Sequence, residues 1–211
     1  LPVGALAMHE WDSAQVGVRR SLELAHQALR AGGLPVGAVI LDASANLSAE
    51  GRNHCCYDPP AGDDPFQGTP LAHAEMNALA RIATSTDLSG CTLWSTHCPC
   101  TMCAAACAFT GVGEVRFLAP DPSDTDSADP QNVDDRWAVL GNVLFLEGIT
   151  RYSGPGAPMI SRARVREPET AALLSSIGPI LFDSPELEPG LVGGWPLIEA
   201  AARARADRRR G

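Results

Sequence analysis

The stretch that decides how this chain is organised opens with His73-Ala74-Glu75 and closes with Pro99-Cys100-Thr101-Met102-Cys103. Imidazole nitrogen and thiolate sulfur are ligands that Zn²⁺ prefers, and a catalytic zinc site has three protein ligands and one open position. A Cys-x-x-Cys pair alone is a weak signal, because redox proteins, zinc ribbons and iron–sulfur proteins share it. A His-x-Glu placed 27 positions upstream, with Pro directly before the first Cys, makes the combination far more specific.

This combination resembles the signature of the cytidine deaminase-like superfamily, which is His-x-Glu followed by Pro-Cys-x-x-Cys. The resemblance implies that Zn²⁺ is bound by His73, Cys100 and Cys103, and that Glu75 is the catalytic proton shuttle. It implies hydrolytic deamination of an amino-substituted heterocycle with release of ammonia, as in the guanine, cytosine and tRNA adenosine deaminases. The resemblance implies no cofactor besides zinc.

The resemblance covers residues 11–122 and implies a three-layer α/β/α sandwich around a central five-stranded mixed sheet. We expect residues 1–155 to form the catalytic domain, and residues 156–211 to form a C-terminal extension packed on it. In this family an Asn at the place of Asn53 holds the heterocycle, and the backbone of Ala74 is a further substrate contact. The alternative for Asn53 is a turn residue, as is common for Asn after Gly. Family members also pair through helices near the site, so we expect a homodimer that uses residues 102–108.

The spacing within each motif limits where it can lie. Residues two apart in a helix point about 200° apart, so His73 and Glu75 can serve one site only in the first turn of a helix. Pro70 just ahead is consistent with a helix start there, and Pro99 favours a second one. Cys100 and Cys103 would then share one helix face. Two positive helix ends near the thiols would favour the thiolate form.

Hydrophobic patterns predict the other elements. They indicate an amphipathic helix over 11–31, a hairpin that begins at 35–41, a helix over 71–85, and strands over 91–96 and 114–118. The apolar segment 137–146 is a buried helix or a buried strand. A helix there would let a fifth strand run parallel to the fourth. Beyond residue 152 the patterns weaken to helical candidates over 167–177 and from 195 onward, with a short apolar run at 179–182.

The charged-residue composition limits which binding partners we expect. The 211 residues carry 25 acids against 16 bases, all of them Arg, for a formal charge of −9. A phosphate-tracking surface is not expected from this balance, so we do not expect a nucleic-acid partner. The Arg-rich end at 203–210 is expected to be a solvated helix end. The Asp-rich stretch 121–135 is either an exposed loop or a lid over the pocket.

The number and spacing of the Cys residues and the pattern of the first residues indicate which cellular compartment to expect. Seven Cys residues are an odd number, and two have a metal-ligand spacing, which argues against a disulfide framework. No charged leader precedes an apolar run, and no segment reaches the ~20 apolar residues of a membrane span. We therefore expect a soluble, cytoplasmic protein without membrane contact.

Three functions remain open from the sequence. The acidic composition favours a free nucleobase or nucleoside as the substrate, and tRNA adenosine is the alternative. A third possibility is a non-catalytic module with a closed zinc site, in which Cys98, Cys55 or Cys107 is the fourth ligand. Relatives often carry Glu or Ser at the place of Cys98. Stacking walls for a ring could come from Trp94, Phe109 or Trp137, although each is more often a core residue.

Overall fold

The computed structural model describes residues 9–55, 66–122, 124 and 126–210. Its strands are β1 (Gly37–Leu41), β2 (Leu47–Arg52), β3 (Thr92–His97) and β4 (Glu114–Ala119). After a helical segment at residues 9–13 come the helices α1 (Val16–Arg30), α2 (Ala74–Leu79), α3 (Thr101–Thr110), α4 (Asp135–Ser153), α5 (Pro158–Arg166), α6 (Pro168–Asp183) and α7 (Leu187–Arg210).

Within the described residues the strands form one mixed sheet in the order β2-β1-β3-β4. β1 and β2 are the predicted hairpin, and the Asp42 carboxylate closes its turn by accepting hydrogen bonds from the backbone N–H groups of Ser44 and Asn46. β1 also pairs antiparallel with β3, whereas β3 and β4 are parallel. The segments that follow β3 and β4, which begin at Cys98 and Pro120, therefore leave the sheet at the same edge.

Helices cover both faces of this sheet. On one face, Val39 and Leu41 of β1 pack with side chains of α1 and α4. On the other face, Ala38 and Ile40 pack with α2 and with Cys107 of α3. Successive side chains of a strand point to opposite faces, so a strand covered on both sides is apolar throughout. A mixed sheet between helical layers agrees with the predicted fold class.

The prediction of five strands is wrong for the described residues. The segment 137–146 lies inside α4, where residues 137–149 are all buried, and the apolar run 179–182 lies inside α6. α4 contacts α1, α6 and α7 on one side and α5 on the other, so it shows no apolar stripe that would distinguish a helix from a strand. After Gly154 the chain starts a new helix with Pro158 in its first turn, and no strand among the described residues pairs with the outer edge of β4.

The C-terminal helices share a core with the helices that cover the sheet. Ile177 of α6 and Trp195 and Ile198 of α7 are fully buried among side chains of α1 and α4. A Cβ at Gly194 would lie 2.8 Å from Ile177 Cδ1, so glycine allows α6 and α7 to approach closely. The domain boundary at residue 155 stays a prediction. None of the helices that the structure describes is both long enough and apolar enough to cross a bilayer.

The Asp-rich stretch and the Arg-rich end are held together. Arg205 is 0% exposed and donates to both carboxylate oxygens of Glu167, at 2.6 and 2.8 Å, and also to Asp135. Arg209 lies 3.1 Å from Asp129. The interpretation of 203–210 as a solvated helix end is therefore wrong for Arg205. Its guanidinium is the buried centre of a cluster that connects three segments of the chain.

Removing that buried centre should destabilise the protein strongly. Arg205→Met leaves the buried Glu167 carboxylate with Arg208 at 3.7 Å in place of a doubly hydrogen-bonded guanidinium, and the loss of a buried partner costs about 3–5 kcal/mol of unfolding free energy. Arg210→Met on the same helix breaks an exposed pair with Asp207 and should cost less than about 1 kcal/mol. Urea unfolding of the two variants measures both values. Equal losses would contradict a buried ion pair at Arg205.

Candidate active site

His73 and Glu75 lie at the start of α2. The helix begins at Ala74, three residues later than predicted, and ends at Leu79 rather than at 85. His73 directly precedes it in an extended conformation, with φ −70° and ψ 155°, and Glu75 lies in the first turn. The chain is still entering the helix at His73, so the two side chains are not forced to point about 200° apart.

Cys100 and Cys103 lie at the start of α3 in the same manner. Cys100 is the extended residue before Thr101, with φ −63° and ψ 169°, and Cys103 is buried in the first turn. The backbone N–H of Cys98 donates to Ala119 O at 2.8 Å, which holds the end of β3 beside the end of β4. β3 therefore places the Cys pair at the edge of the sheet where the segment after β4, which begins at Pro120, also leaves the sheet.

The two motifs meet at their donor atoms. His73 Nδ1 lies 3.6 Å from Cys100 Sγ and 3.5 Å from Cys103 Sγ, and all three donor atoms lie within 4.8 Å of one another. A tetrahedral zinc with normal Zn–N and Zn–S bond lengths would separate nitrogen from sulfur by about 3.6 Å. The geometry therefore fits a single metal ion held by His73, Cys100 and Cys103.

No fourth thiol completes the cluster in the part of the chain that the structure describes. The group of possible metal ligands there consists of His73, Cys100 and Cys103 alone. Cys98 Sγ lies instead 3.9 Å from the carbonyl oxygen of Pro99, and neither Cys55 nor Cys107 joins the group. A Zn²⁺ ion with these three described residues as its protein ligands would have one coordination position for water or substrate, as in catalytic zinc sites.

Glu75 is buried next to these donor atoms. It is 4% exposed, and its Oε1 accepts a hydrogen bond of 2.7 Å from Ser95 Oγ on β3. Burial raises the pKa of the Cys103 thiol, and the negative charge of Glu75 raises it further. The same two causes raise the pKa of Cys107 to about 11. A thiolate beside a buried carboxylate needs a compensating positive charge, which is what a bound metal cation supplies.

Asn53 lies directly after β2 and is buried. Its backbone N–H donates to Val36 O at 2.9 Å, and its Oδ1 accepts from the backbone N–H of Cys55 at 2.9 Å. The alternative interpretation of Asn53 as a turn residue agrees with these hydrogen bonds. Contact of Asn53 with a substrate stays a prediction, as does contact of the Ala74 backbone.

Two polar residues near the site were not found from the sequence. Ser95 lies in a buried strand that also carries Thr92 and Thr96, so nothing in the sequence distinguished its hydroxyl from theirs. Asn77 Nδ2 donates to Arg52 O at 2.8 Å and to Ala72 O at 3.3 Å, so it ties the end of β2 to the segment that precedes His73.

The candidate stacking residues do not gather at the metal cluster. Trp94 and Trp137 belong to the core that α1, α4, α6 and α7 form with one face of the sheet. Phe109 is 92% exposed on α3. The placement of Trp94 and Trp137 favours the interpretation that they are core residues and not stacking walls for a ring.

Comparison with known proteins identifies the family. The model of the cytidine and deoxycytidylate deaminase zinc-binding region matches residues 11–119, which include both motifs. The chain belongs to this family. The match confirms the resemblance to the cytidine deaminase-like superfamily and supports deamination as the general chemistry of this member.

Individual relatives differ in what their names say they act on. A tRNA-specific adenosine deaminase of Haemophilus influenzae is 37% identical over 107 residues, which are 49% of this chain and 57% of that protein. A probable cytosine deaminase of Schizosaccharomyces pombe is 31% identical over 101 residues, 47% of this chain and 56% of the relative. A tRNA(Ile)-lysidine synthase of Deinococcus radiodurans is 33% identical over 114 residues, 53% of this chain and 18% of the relative. The chain therefore spans 57% or less of the length of these three proteins.

His97 is buried at the end of β3, three residues before Cys100. It belongs to neither of the two motifs of this deaminase-family chain. Its Nδ1 lies 3.1 Å from Thr96 Oγ1, and its ring packs 4.9 Å from the Phe145 ring. Burial lowers the pKa of His97 to about 4, while the Asp121 carboxylate and the Asn142 amide oppose this shift. His97 is therefore neutral in the folded protein at neutral pH.

Neutral His97 predicts acid sensitivity in a defined window. The unfolded chain takes up a proton near pH 6.5 and the folded chain only near pH 4, so the free energy of unfolding should fall as the pH is lowered between these values. The slope for one such group reaches about 1.4 kcal/mol per pH unit. His97→Leu should remove this part of the slope in urea unfolding at pH 5 and pH 7.

A second histidine provides the control for that experiment. His26 is also buried, its Nε2 lies 2.8 Å from Leu181 O, and burial lowers its pKa as well. Its contribution has the same sign, so His97→Leu should reduce the pH dependence without abolishing it. An unchanged slope in His97→Leu would contradict the buried neutral state of His97.

Proposed function

We propose that this protein is a zinc-dependent aminohydrolase that deaminates an amino-substituted heterocycle and releases ammonia. The observation that carries the proposal is the convergence of His73 Nδ1, Cys100 Sγ and Cys103 Sγ within 4.8 Å, with the buried carboxylate of Glu75 beside them. Zinc held by these three residues would supply a Lewis acid that makes a water molecule acidic near neutral pH.

The proposed role of Glu75 is to move protons. It accepts a proton from the attacking water and passes it to the ring nitrogen; it then takes the remaining proton from the added hydroxyl group and passes it to the amino group, which leaves as ammonia while the carbonyl forms. Its Oε1 is held by the Ser95 hydroxyl at 2.7 Å, which orients the carboxylate. We assign Ser95 as a positioning residue, since its observed contact is with Glu75. Burial of Glu75 also keeps bulk water away from these proton transfers.

A small nucleobase or nucleoside is the substrate class that we favour. The formal charge of −9 and the lack of Lys provide little attraction for a polyanion. Three of the Arg residues at the C-terminal end, Arg205, Arg208 and Arg209, pair with acidic groups of the same chain. Their charge is therefore already neutralised locally.

Deamination of adenosine in tRNA is the alternative, because the relative from Haemophilus influenzae is named for that activity. Ammonia release from cytosine, guanine, adenine, their nucleosides and tRNA separates the two substrate classes. A non-catalytic zinc-binding module is the second alternative, and the absence of ammonia from every compound in this set would favour it.

Zinc content tests the ligand assignment directly. We expect about one zinc per chain in elemental analysis, and Cys100→Ser or Cys103→Ser should lower this content. Cys98→Ser is the matched control, because Cys98 lies two residues from Cys100 but outside the donor cluster. Loss of zinc in Cys98→Ser, or retention in Cys103→Ser, would contradict the three-ligand site.

Glu75→Ala tests catalysis apart from metal binding. The variant should fold and keep its zinc, yet release ammonia at least ~10²–10⁴ times more slowly on a confirmed substrate, as expected when a general acid–base group is lost. Ser95→Ala removes a single hydrogen bond to Glu75, so its effect should be much smaller at equal zinc content. Unchanged turnover in Glu75→Ala would remove this residue from the mechanism, and loss of zinc would make it a ligand.

The predicted homodimer remains a prediction. Within the segment 102–108 that was expected to pair, Ala104, Ala105 and Ala108 are exposed. A monomer in sedimentation at micromolar concentration would contradict it.

A further inference from the structure

A cavity of about 600 Å³ lies at the edge of the sheet where β3 and β4 end. Its walls come from the segment after β4, from α4 and from α5, and they include Pro120, Pro122, Leu146 and Val165. This volume falls within the range of ~300–1,000 Å³ that small-molecule sites occupy. The lining includes none of the residues proposed as metal ligands, so the cavity is distinct from that cluster.

Asn142 of α4 is the polar group at the buried side of this cavity. The residue is 1% exposed, and within the described part of the chain neither its Nδ2 nor its Oδ1 has a hydrogen-bond partner. Buried carboxamides in native proteins are normally hydrogen-bonded. The Asn142 amide lies beside the His97 ring, but no hydrogen bond of normal geometry joins them, and His97 Nε2 also has no partner among the described residues.

Two charged groups of the cavity lining are held by other contacts. The Glu167 carboxylate binds the buried guanidinium of Arg205. The Arg166 guanidinium donates to the backbone carbonyls of Asp124 and Ser127. Arg162 also lines the cavity, and it is exposed. Among the buried lining residues that the structure describes, the polar group without a hydrogen-bond partner is the neutral carboxamide of Asn142.

We propose that this cavity binds a planar nitrogen heterocycle whose lactam edge pairs with the Asn142 carboxamide. A carboxamide presents a donor and an acceptor side by side, and the N–H and C=O of a lactam match both. The proline rings, Leu146 and Val165 provide apolar contacts for the rest of the ring. The site does not depend on the proposed deamination, because its groups are separate from the metal cluster.

The test uses the zinc-loaded 211-residue chain labelled with ¹⁵N. The probes are 2-pyridone, which has the lactam edge, and 2-methoxypyridine, which has the same ring without the N–H donor. The side-chain NH₂ signal of Asn142 is assigned by its absence from Asn142→Leu. We expect 2-pyridone to shift this signal saturably and to bind at least about tenfold more tightly than 2-methoxypyridine.

Four variants localise the binding. Asn142→Leu should weaken 2-pyridone binding about tenfold or more in a direct titration. Ser161→Trp fills the cavity from an exposed position of its wall without changing Asn142, and should also abolish binding. Thr170→Val removes a buried hydroxyl without a partner that lies outside the cavity lining, so affinity should not change. Cys100→Ser, at the proposed metal ligands, should also leave it unchanged.

Three results would overturn the proposal. One is the lack of any shift of the Asn142 signal at millimolar 2-pyridone. Another is equal affinity in the wild type, Asn142→Leu and Ser161→Trp. The third is loss of binding in Cys100→Ser, which would place the probe at the metal cluster and would leave the proposed deaminase function intact.

Discussion

The site depends on a constraint of distance, because one imidazole nitrogen and two sulfurs from separate helices must meet within 4.8 Å. On the side of His73, the backbone of α2 lies directly against β2. A Cβ at Gly51 would lie 2.3 Å from Ala74 O and 2.5 Å from Ala78 N, so no larger residue fits there. Asn77 adds hydrogen bonds to Arg52 O and Ala72 O. The position of His73 is therefore set by backbone packing around a six-residue helix.

The Cys pair is positioned by the parallel strands. The hydrogen bond from Cys98 N to Ala119 O continues the pairing of β3 with β4 beyond the last strand residue. Pro99 follows at once, and α3 begins at Thr101, so few backbone angles are free between the sheet and the first sulfur. Since β3 also pairs with β1, and β1 with β2, the sheet links both halves of the cluster in one rigid unit.

The sequence predicted most strongly the parts in which local spacing determines geometry. The hairpin, the strands before and after α3, and the two helix starts all follow from turn residues, apolar runs and motif spacing. The metal ligands were expected from the family resemblance, because His73 and Cys100 are 27 positions apart and local spacing does not bring them together. Segment 137–149 gave no such information, since every residue in it is buried and neither helical nor strand periodicity is visible. The fifth strand was expected from family resemblance alone, and here helices follow instead.

The sequence patterns did not predict side-chain contacts between residues that are far apart in the chain. The Asp-rich stretch and the Arg-rich end each suggested a solvated segment, because a charge run shows its composition but not its partner. In the structure, Arg205 is fully buried against Glu167, which lies 38 positions earlier in the chain. Ser95 presented the same difficulty, since its contact with Glu75 spans 20 positions and two elements.

The buried glutamates of this protein differ in whether an Arg of the same chain compensates their charge. Three glutamates are buried among the described residues: Glu75, Glu147 and Glu167. Glu147 pairs with Arg151 at 2.7 Å and Glu167 with Arg205 at 2.6 Å, so each has its charge compensated within the chain. Glu75 has a hydroxyl donor, and the described residues place no Arg at ion-pair distance from it. A buried carboxylate without a cationic partner is costly, and folding alone gives no reason to keep one. A cation held by His73, Cys100 and Cys103 would provide that compensation, and this is a physical reason for the carboxylate and the donor cluster to lie together.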